Sequence, residues 1–349
     1  VTVQYATANN TAVAGSDYTA VSGTVTIPSG SRTATITVPI VNDFIAEGTE
    51  RFNVNLSNPG PYSGTIMFIT DSQGIGTITD NDYVITFTKG GTATAGYNVA
   101  LSDGSVSGAP GTASVVFGVP YSFDGADTVA LTATDTFPSA GCVFKGWTGD
   151  ASGSGYALDV VMNSNKAVTA TFNATHILSI DKTGTGAGNA TVTAGPGSDL
   201  RFPGGAAPGT YLYEKDNAIS LVGADQDPTA DVAGSRFDNW TNFGDPGAGF
   251  SSTNKNTSVT ITGEIAMTGN FTGKYMITSE ARTGGTISPS GSTMKFHGET
   301  QTYTITVVGA YVHSDTVVDL VSQGAAQHTF TFDNIDKNHR ITAVFQAGS

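Results

Sequence analysis

The sequence predicts an all-β protein, built as a tandem array of small antiparallel β-sandwich modules. Charged residues make up 13% of the chain, and 44 glycines mark frequent turns. That charged fraction is about half of what globular domains usually carry. Threonine and valine alternate repeatedly, and this two-residue period is typical of strands that bury one face. Sequences that favour helices are scarce, so we expect almost no helix.

The first segment, residues 1–82, contains clear alternating runs. Residues 33–40 interleave threonines with apolar residues, and residues 52–56 interleave apolar residues with asparagines. Turn-forming sequences at 28–30 and 58–60 separate such runs. This spacing predicts strands over both runs, arranged in two sheets that face each other.

Three later segments resemble one another. Each opens with a similar strand sequence and ends on the pattern apolar, Thr, small, any residue, Phe. The openings are Tyr83–Thr86, His176–Ser179 and Tyr275–Thr278, and the endings are Val168–Phe172, Met267–Phe271 and Ile341–Phe345. We interpret these segments as three related repeats.

The repeats divide the chain into predicted modules with boundaries at 1–82, 83–173, 174–273 and 274–349. The predicted linkers are very short and lie at 81–83, 173–175 and 273–274. No glycine- and serine-rich or proline-rich spacer of useful length separates the modules. We therefore expect a semi-rigid, rod-like array.

Two of the repeats share an aromatic pair, Phe144 with Trp147 and Phe237 with Trp240. Aromatic residues at equivalent positions of a repeat are usually core residues, and we expect this here. The alternative is a platform on which sugars stack, which would make the chain a glycan-binding module.

Net charge, hydropathy and cysteine content argue against several classes of function. The net charge of −14 argues against nucleic acid as a partner, because phosphate backbones need a basic surface. No apolar run has the 18 or so residues needed to span a bilayer, so we expect no membrane insertion. The single cysteine, Cys142, cannot form an internal disulfide, so we expect it to be a small buried apolar residue.

The sequence also lacks a recognisable catalytic arrangement. No serine stands in a nucleophile-elbow pattern, and the five histidines show no metal-site spacing. We therefore predict no catalytic residues and no enzymatic activity.

Residues 1–82 resemble the Calx-beta family. The matching motifs, in order, are Tyr5–Thr7, Thr11–Ala12, Gly15–Thr19, Ser22–Thr24, the acidic stretch Asp43–Glu50, Phe52–Ser57 and Ile78–Asp82. The resemblance implies an immunoglobulin-like sandwich. That family occurs in sodium/calcium exchangers, integrin subunits and many bacterial surface proteins.

The Calx-beta resemblance also implies a calcium site, because carboxylates at one end of the sandwich hold calcium in the calcium-binding members. The matching carboxylates here are Asp17, Asp43, Glu47, Glu50, Asp80 and Asp82. Asn42, Phe44 and Asn81 replace acidic residues of the full motif, so we expect reduced affinity. The alternative is that Glu47 and Glu50 are simply solvated and that 80–82 form a linker turn.

Residues 83–345 resemble the divergent bacterial repeats related to the B-repeat of Listeria internalins. The signatures are Phe144–Asp150, Asn165–Phe172, Gly285–Gly291 and Asn338–Phe345. Such repeats usually form stalks and adhesive parts of secreted or surface-anchored proteins. The resemblance therefore implies an extracellular or cell-surface location.

The chain starts at Val1, directly in the strand that other Calx-beta domains reach only after one or two earlier strands. One hypothesis is that the first module lacks its opening strand and accepts one from another subunit, which would allow the chain to polymerise. The alternative is that Val1 is an arbitrary boundary of the chain.

Together these features predict a non-enzymatic structural or adhesive element of a bacterial surface assembly: a stalk, an adhesin region or a fibre subunit. Its expected partners are copies of itself or other surface proteins, and calcium is its expected ligand. The alternatives are a glycan-binding module and a non-catalytic spacer of a larger secreted enzyme.

Overall fold

The structure is a computed structural model, and it confirms the all-β prediction. It describes residues 1–60, 64, 66–103, 113–197, 199, 201–202, 204–325 and 328–348, with Asp103 described in its main chain alone. In these residues the regular structure consists of strands and one short 3₁₀ helix, η1 (Ala187–Asn189). No helix among them has the length and apolar character needed to cross a bilayer.

The chain packs into two compact units. The first contains residues 1–91, 97–135 and 144–172, and the second contains 92–96, 136–143 and 173–349. The first unit holds β1 (Thr2–Asn9), β2 (Ser22–Thr26), β3 (Glu50–Ser57), β4 (Gln73–Ile78), β5 (Asp82–Gly90), β6 (Asn98–Asp103), β7 (Ala113–Ser114), β8 (Pro120–Asp124) and β9 (Thr128–Thr134). Next come β10 (Gly141–Gly149), β11 (Ala157–Val161) and β12 (Lys166–Thr183); β11 belongs to the first unit, and β10 and β12 have residues in both.

The remaining strands belong to the second unit. They are β13 (Thr191–Ala194), β14 (Gly205–Ala206), β15 (Gly209–Glu214), β16 (Ala218–Ala224), β17 (Gly234–Phe243), β18 (Asn256–Thr260), β19 (Ile265–Ala281), β20 (Gly285–Ser288), β21 (Gly291–Phe296), β22 (Gln301–Val307), β23 (Tyr311–Val318), β24 (Val321–Ser322), β25 (Thr329–Phe332) and β26 (His339–Ala347).

Residues 1–82, which we name the first module, form an antiparallel sheet in the order β2-β1-β3-β4. Strand β3 confirms the strand predicted over residues 52–56. A small core lies against this sheet, and its buried members are Ala12, Tyr18 and Phe52. The rings of Tyr18 and Phe52 stack with their centroids 4.7 Å apart.

The strand predicted over residues 33–40 is wrong. These residues lie outside the sheets and are largely exposed, and Ile40 alone forms a bridge, to Tyr18. The reason is that a strand needs a hydrogen-bonded neighbour, and among the described residues none runs alongside this segment. Its end is nevertheless fixed, because Thr19 N–H donates to Pro39 O at 2.8 Å and Val41 N–H donates to Asp17 O at 3.0 Å.

The repeated sequences adopt repeated pairings. Although most strand pairs are antiparallel, β5 runs parallel to β12, β12 to β19, and β19 to β26. In each case the opening strand of a repeat pairs with the closing strand of the same repeat. The linkers predicted at 173–175 and 273–274 lie inside β12 and β19, so the chain forms strands there and not loops.

The two tryptophans are core residues, as predicted. Trp147 and Trp240 are each 2% exposed. Their indole N–H groups donate to Gly155 O and Asn254 O, both at 2.9 Å. The buried rings are closed to sugars, so the stacking platform on which the glycan alternative depended is not formed. Cys142 is buried as well.

Replacing Phe52 by alanine should selectively destabilise the first module. Phe52 is 6% exposed and supplies much of a small core. Removing a buried phenylalanine side chain costs about 3–5 kcal/mol. Differential scanning calorimetry should show one transition of the full chain moving to lower temperature. Phe68→Ala is the matched control, because Phe68 is 83% exposed and its loss should leave every transition in place. Equal melting curves for the two variants would contradict this account of the core.

Candidate metal centre

The structure brings the six predicted carboxylates to one cleft of the first module. They come from three separated stretches: Asp17 from the loop before β2; Asp43, Glu47 and Glu50 from the loop before β3 and its first residue; Asp80 and Asp82 from the turn between β4 and β5. All six line a cleft of about 100 Å³. The sheet produces this convergence, since the three stretches meet at one end of its strands.

Asp17, Glu47 and Glu50 form the tightest group. One carboxylate oxygen from each can be chosen so that all lie within 4.8 Å of one another. Two oxygens that bind the same Ca²⁺ lie at most about 5 Å apart, because each is about 2.3–2.6 Å from the ion. The spacing of this trio is therefore compatible with one shared calcium ion.

Backbone donors fix the position of Asp17. Val13 N–H donates to its Oδ2 at 2.6 Å. The main-chain oxygen of Asp17 accepts from Val41 N–H, which draws the chain around residue 41 towards the cleft. The carboxylate is thus held at the cleft by local hydrogen bonds.

Asp80 connects the other two stretches. Its Oδ2 accepts from Glu47 N–H at 2.7 Å, and its Oδ1 accepts from Asp82 N–H at 3.0 Å. Asp43 is held more locally, with its Oδ1 accepting from Ile45 N–H at 2.9 Å. These contacts gather negative charge at one place in the fold.

The accumulated charge perturbs the two glutamates. Loss of hydration raises the pKa of Glu47, and the charges of Asp17, Asp43 and Asp80 raise it further. The pKa of Glu50 is raised by loss of hydration, by a hydrogen bond with Asp17 and by the charges of Asp17 and Glu47. Within the described part of the chain, no lysine or arginine forms an ion pair with any of the six carboxylates.

Asp82 is the most buried of the six, at 7% exposure. Its pKa is raised to about 7. Burial is the largest cause, and a hydrogen bond with Asp124 and the charges of Asp124, Asp80 and Asp43 raise the pKa further. A hydrogen bond between two carboxyl groups requires a proton on one of them. Asp82 Oδ1 is buried and has no hydrogen-bond partner among the described residues.

Three residues, Asn42, Phe44 and Asn81, stand where the full motif has acidic residues. Asn42 donates its amide to Asp124, at 3.3 Å from Oδ1 and 3.5 Å from Oδ2. Asn81 is exposed at the rim of the cleft, and Phe44 is half-buried.

Asp124, at the end of β8, is the residue that the sequence did not indicate. It reaches this site through the pairing of β5 with β8, where it lies directly opposite Asp82. No local pattern distinguishes it from other acidic residues in turns, so only the long-range strand register reveals it.

Comparison with known families supports the resemblance of the two N-terminal segments. Residues 1–82 match the model of the Calx-beta domain, and residues 83–176 match that of the divergent InlB B-repeat domain. The B-repeat resemblance of residues 177–345 stays a prediction. No curated protein matches the chain.

Several solved structures are distantly similar. The calcium binding domain CBD12 of CALX1.1 is 17% identical, over 38% of this chain and 65% of that one, with a TM-score of 0.21. The Bacillus anthracis TIE protein is 12% identical, over 100% of this chain and 69% of that one, with a TM-score of 0.27. The pilus adhesin SpaC from Lactobacillus rhamnosus GG, in its open conformation, is 10% identical, over 100% of this chain and 56% of that one, with a TM-score of 0.28. At these TM-scores the likeness carries no argument about function.

The raised pKa of Asp82 predicts a specific pH dependence. Its pKa is about 7 in the folded chain against an ordinary value of 3.8, so the folded state binds this proton more tightly than the unfolded state. The resulting stability is fully present below about pH 4 and is lost as the pH rises through about 7. Each unit of pKa difference corresponds to about 1.4 kcal/mol.

Melting temperatures of the full chain in a chelating buffer, measured from about pH 5 to about pH 8, should therefore fall for the wild type. Asp82→Asn should flatten this decline. Asp159→Asn, at an exposed aspartate outside the cleft, should retain it. The same slope in Asp82→Asn and wild type would show that Asp82 does not carry the effect.

Proposed function

We propose that this chain is a structural or adhesive element of a bacterial extracellular or cell-surface assembly, and that its first module binds calcium. The observation that carries the calcium proposal is the trio Asp17, Glu47 and Glu50, whose carboxylate oxygens lie within 4.8 Å of one another. Asp43 and Asp80 line the same cleft and add negative charge.

The ligand chemistry favours calcium over other common metals. The described residues that line the cleft include no histidine or cysteine, the side chains that zinc and copper prefer. Calcium accepts six to eight oxygens in flexible geometry, which suits carboxylates and main-chain carbonyls from separate loops. A divalent cation would also relieve the repulsion that raises the pKa values of Glu47 and Glu50.

The structural role is supported by the architecture and by the two matched families. Both Calx-beta and B-repeat domains are non-catalytic modules. Strand β19 runs without a break through the linker predicted at 273–274. Its residues before the linker belong to one hydrophobic core, and its residues after the linker belong to another. We propose copies of this chain or other surface proteins as its partners.

Calcium should stabilise the folded first module. A ligand that binds only the folded state at about 100 times its Kd adds about 2.7 kcal/mol of stability. Titrating calcium into the full chain should raise the temperature of the calorimetric transition whose temperature Phe52→Ala lowers. The temperatures of the other transitions should not change.

The variant Glu47→Gln/Glu50→Gln should abolish this shift, because it removes two of the three charges of the trio while keeping side-chain size. Glu264→Gln, at an exposed glutamate in the second unit, is the matched control and should respond like wild type. If millimolar calcium leaves the wild-type transitions where they are, the calcium proposal is wrong.

A further inference from the structure

Two histidine side chains of the second unit lie against each other in the last repeat. His313 is on β23, and His328 directly precedes β25. Their ring centroids are 5.9 Å apart. Strand β23 pairs with β26, whereas β25 pairs with β22 in a separate three-stranded sheet. The fold, and not their spacing in the sequence, brings the two rings together.

The hydrogen bonds of His313 define which ring nitrogen carries a proton. His313 is buried, with 9% of its surface exposed. Its Nε2 lies 2.9 Å from the main-chain oxygen of Asp315 and 3.1 Å from Oγ1 of Thr316. A carbonyl oxygen can only accept, so Nε2 carries a proton and donates it. In the neutral ring, Nδ1 then has a free lone pair. This atom is buried and has no hydrogen-bond partner among the described residues.

The free Nδ1 has the properties of a metal ligand. A buried polar atom without a partner is costly, because its hydration is lost and nothing replaces it. Histidines that bind metals usually donate the other ring N–H to a carbonyl or carboxylate, which fixes the ring and makes the free nitrogen more basic. His313 makes this bond to Asp315. Imidazole nitrogen suits transition metals such as zinc, copper and nickel.

His328 is placed to supply a second nitrogen. Its side chain is exposed, so an ion can reach it from solvent. Its main-chain oxygen accepts from Ile305 N–H at 2.7 Å, which holds the residue beside β22. An imidazole nitrogen lies about 2.0–2.1 Å from a bound ion and its ring centre about 3.2 Å, so two ring centres around one ion are at most about 6.4 Å apart. The observed separation of 5.9 Å lies within that limit.

We propose that His313, through Nδ1, and His328, through one ring nitrogen, bind a single divalent transition-metal ion. Among the described residues, no third histidine, cysteine or carboxylate completes a trio with them, so water fills the remaining positions. The ion joins β23 to the chain before β25, and so links the two sheets that enclose the core of the last repeat. This site is separate from the carboxylate cleft and does not depend on calcium binding there.

Electron paramagnetic resonance of the full chain loaded with Cu²⁺ tests this proposal. Copper is the most sensitive probe, because a given site binds it more tightly than other divalent ions of the first transition row. Wild type should show hyperfine coupling to two imidazole nitrogens. His328→Gln should show coupling to one nitrogen at most and bind Cu²⁺ at least tenfold more weakly. His176→Gln, which makes the same change on β12, is the matched control and should give the wild-type spectrum.

The outcomes distinguish this site from the calcium site. A wild-type spectrum without coupling to imidazole nitrogen would overturn the proposal, and so would a His328→Gln spectrum identical to that of wild type. Neither result bears on calcium, because the described residues that line the carboxylate cleft include no histidine. As a second check, Zn²⁺ should raise the temperature of a calorimetric transition in wild type. An equal rise in His328→Gln, shown to be folded by near-ultraviolet circular dichroism, would contradict the site.

Discussion

The mutual repulsion of the carboxylates at one end of the first module is the constraint on which the rest of this site depends. Val41 N–H donates to the main-chain oxygen of Asp17 and Glu47 N–H donates to the Asp80 carboxylate, so hydrogen bonds join the three stretches of chain, and each stretch carries acidic side chains into the same cleft. Like charges held close together repel one another, which disfavours the ionised form of each carboxyl group. The fold thus imposes a cost at neutral pH that protonation or a bound cation can remove.

The module that carries these repelling carboxylates has a small hydrophobic core. The buried apolar residues of the first module are few, centred on the stacked rings of Tyr18 and Phe52. The clusters that support the later strands of the second unit are larger. Because little apolar surface is buried beside the cleft, a gain of a few kcal/mol from ion binding would be a large part of the module's stability.

Features that depend on local pattern could be predicted from the sequence. The strand at residues 52–56 follows from strict alternation, and the core role of Trp147 and Trp240 follows from their repeated positions. The six carboxylates of the cleft were identified through the Calx-beta resemblance, and their convergence depends on the sheet that resemblance implies.

Features that depend on long-range pairing were missed. Residues 33–40 have the alternation of a strand but no partner among the described residues. Asp124 reaches the cleft only through its register with Asp82. The strand that runs through 273–274 depends on the pairing of β19 with β17, β21 and β26 along its length. In each case the deciding contact is many residues away in sequence.

Anomalous X-ray diffraction from crystals of the full chain grown with calcium tests the central claim most directly. We expect an anomalous peak within the cleft, at about 2.3–2.6 Å from oxygens of Asp17, Glu47 and Glu50, with those side chains well ordered. Well-ordered carboxylates with no anomalous peak among them at millimolar calcium would contradict the claim that this cleft is a calcium site.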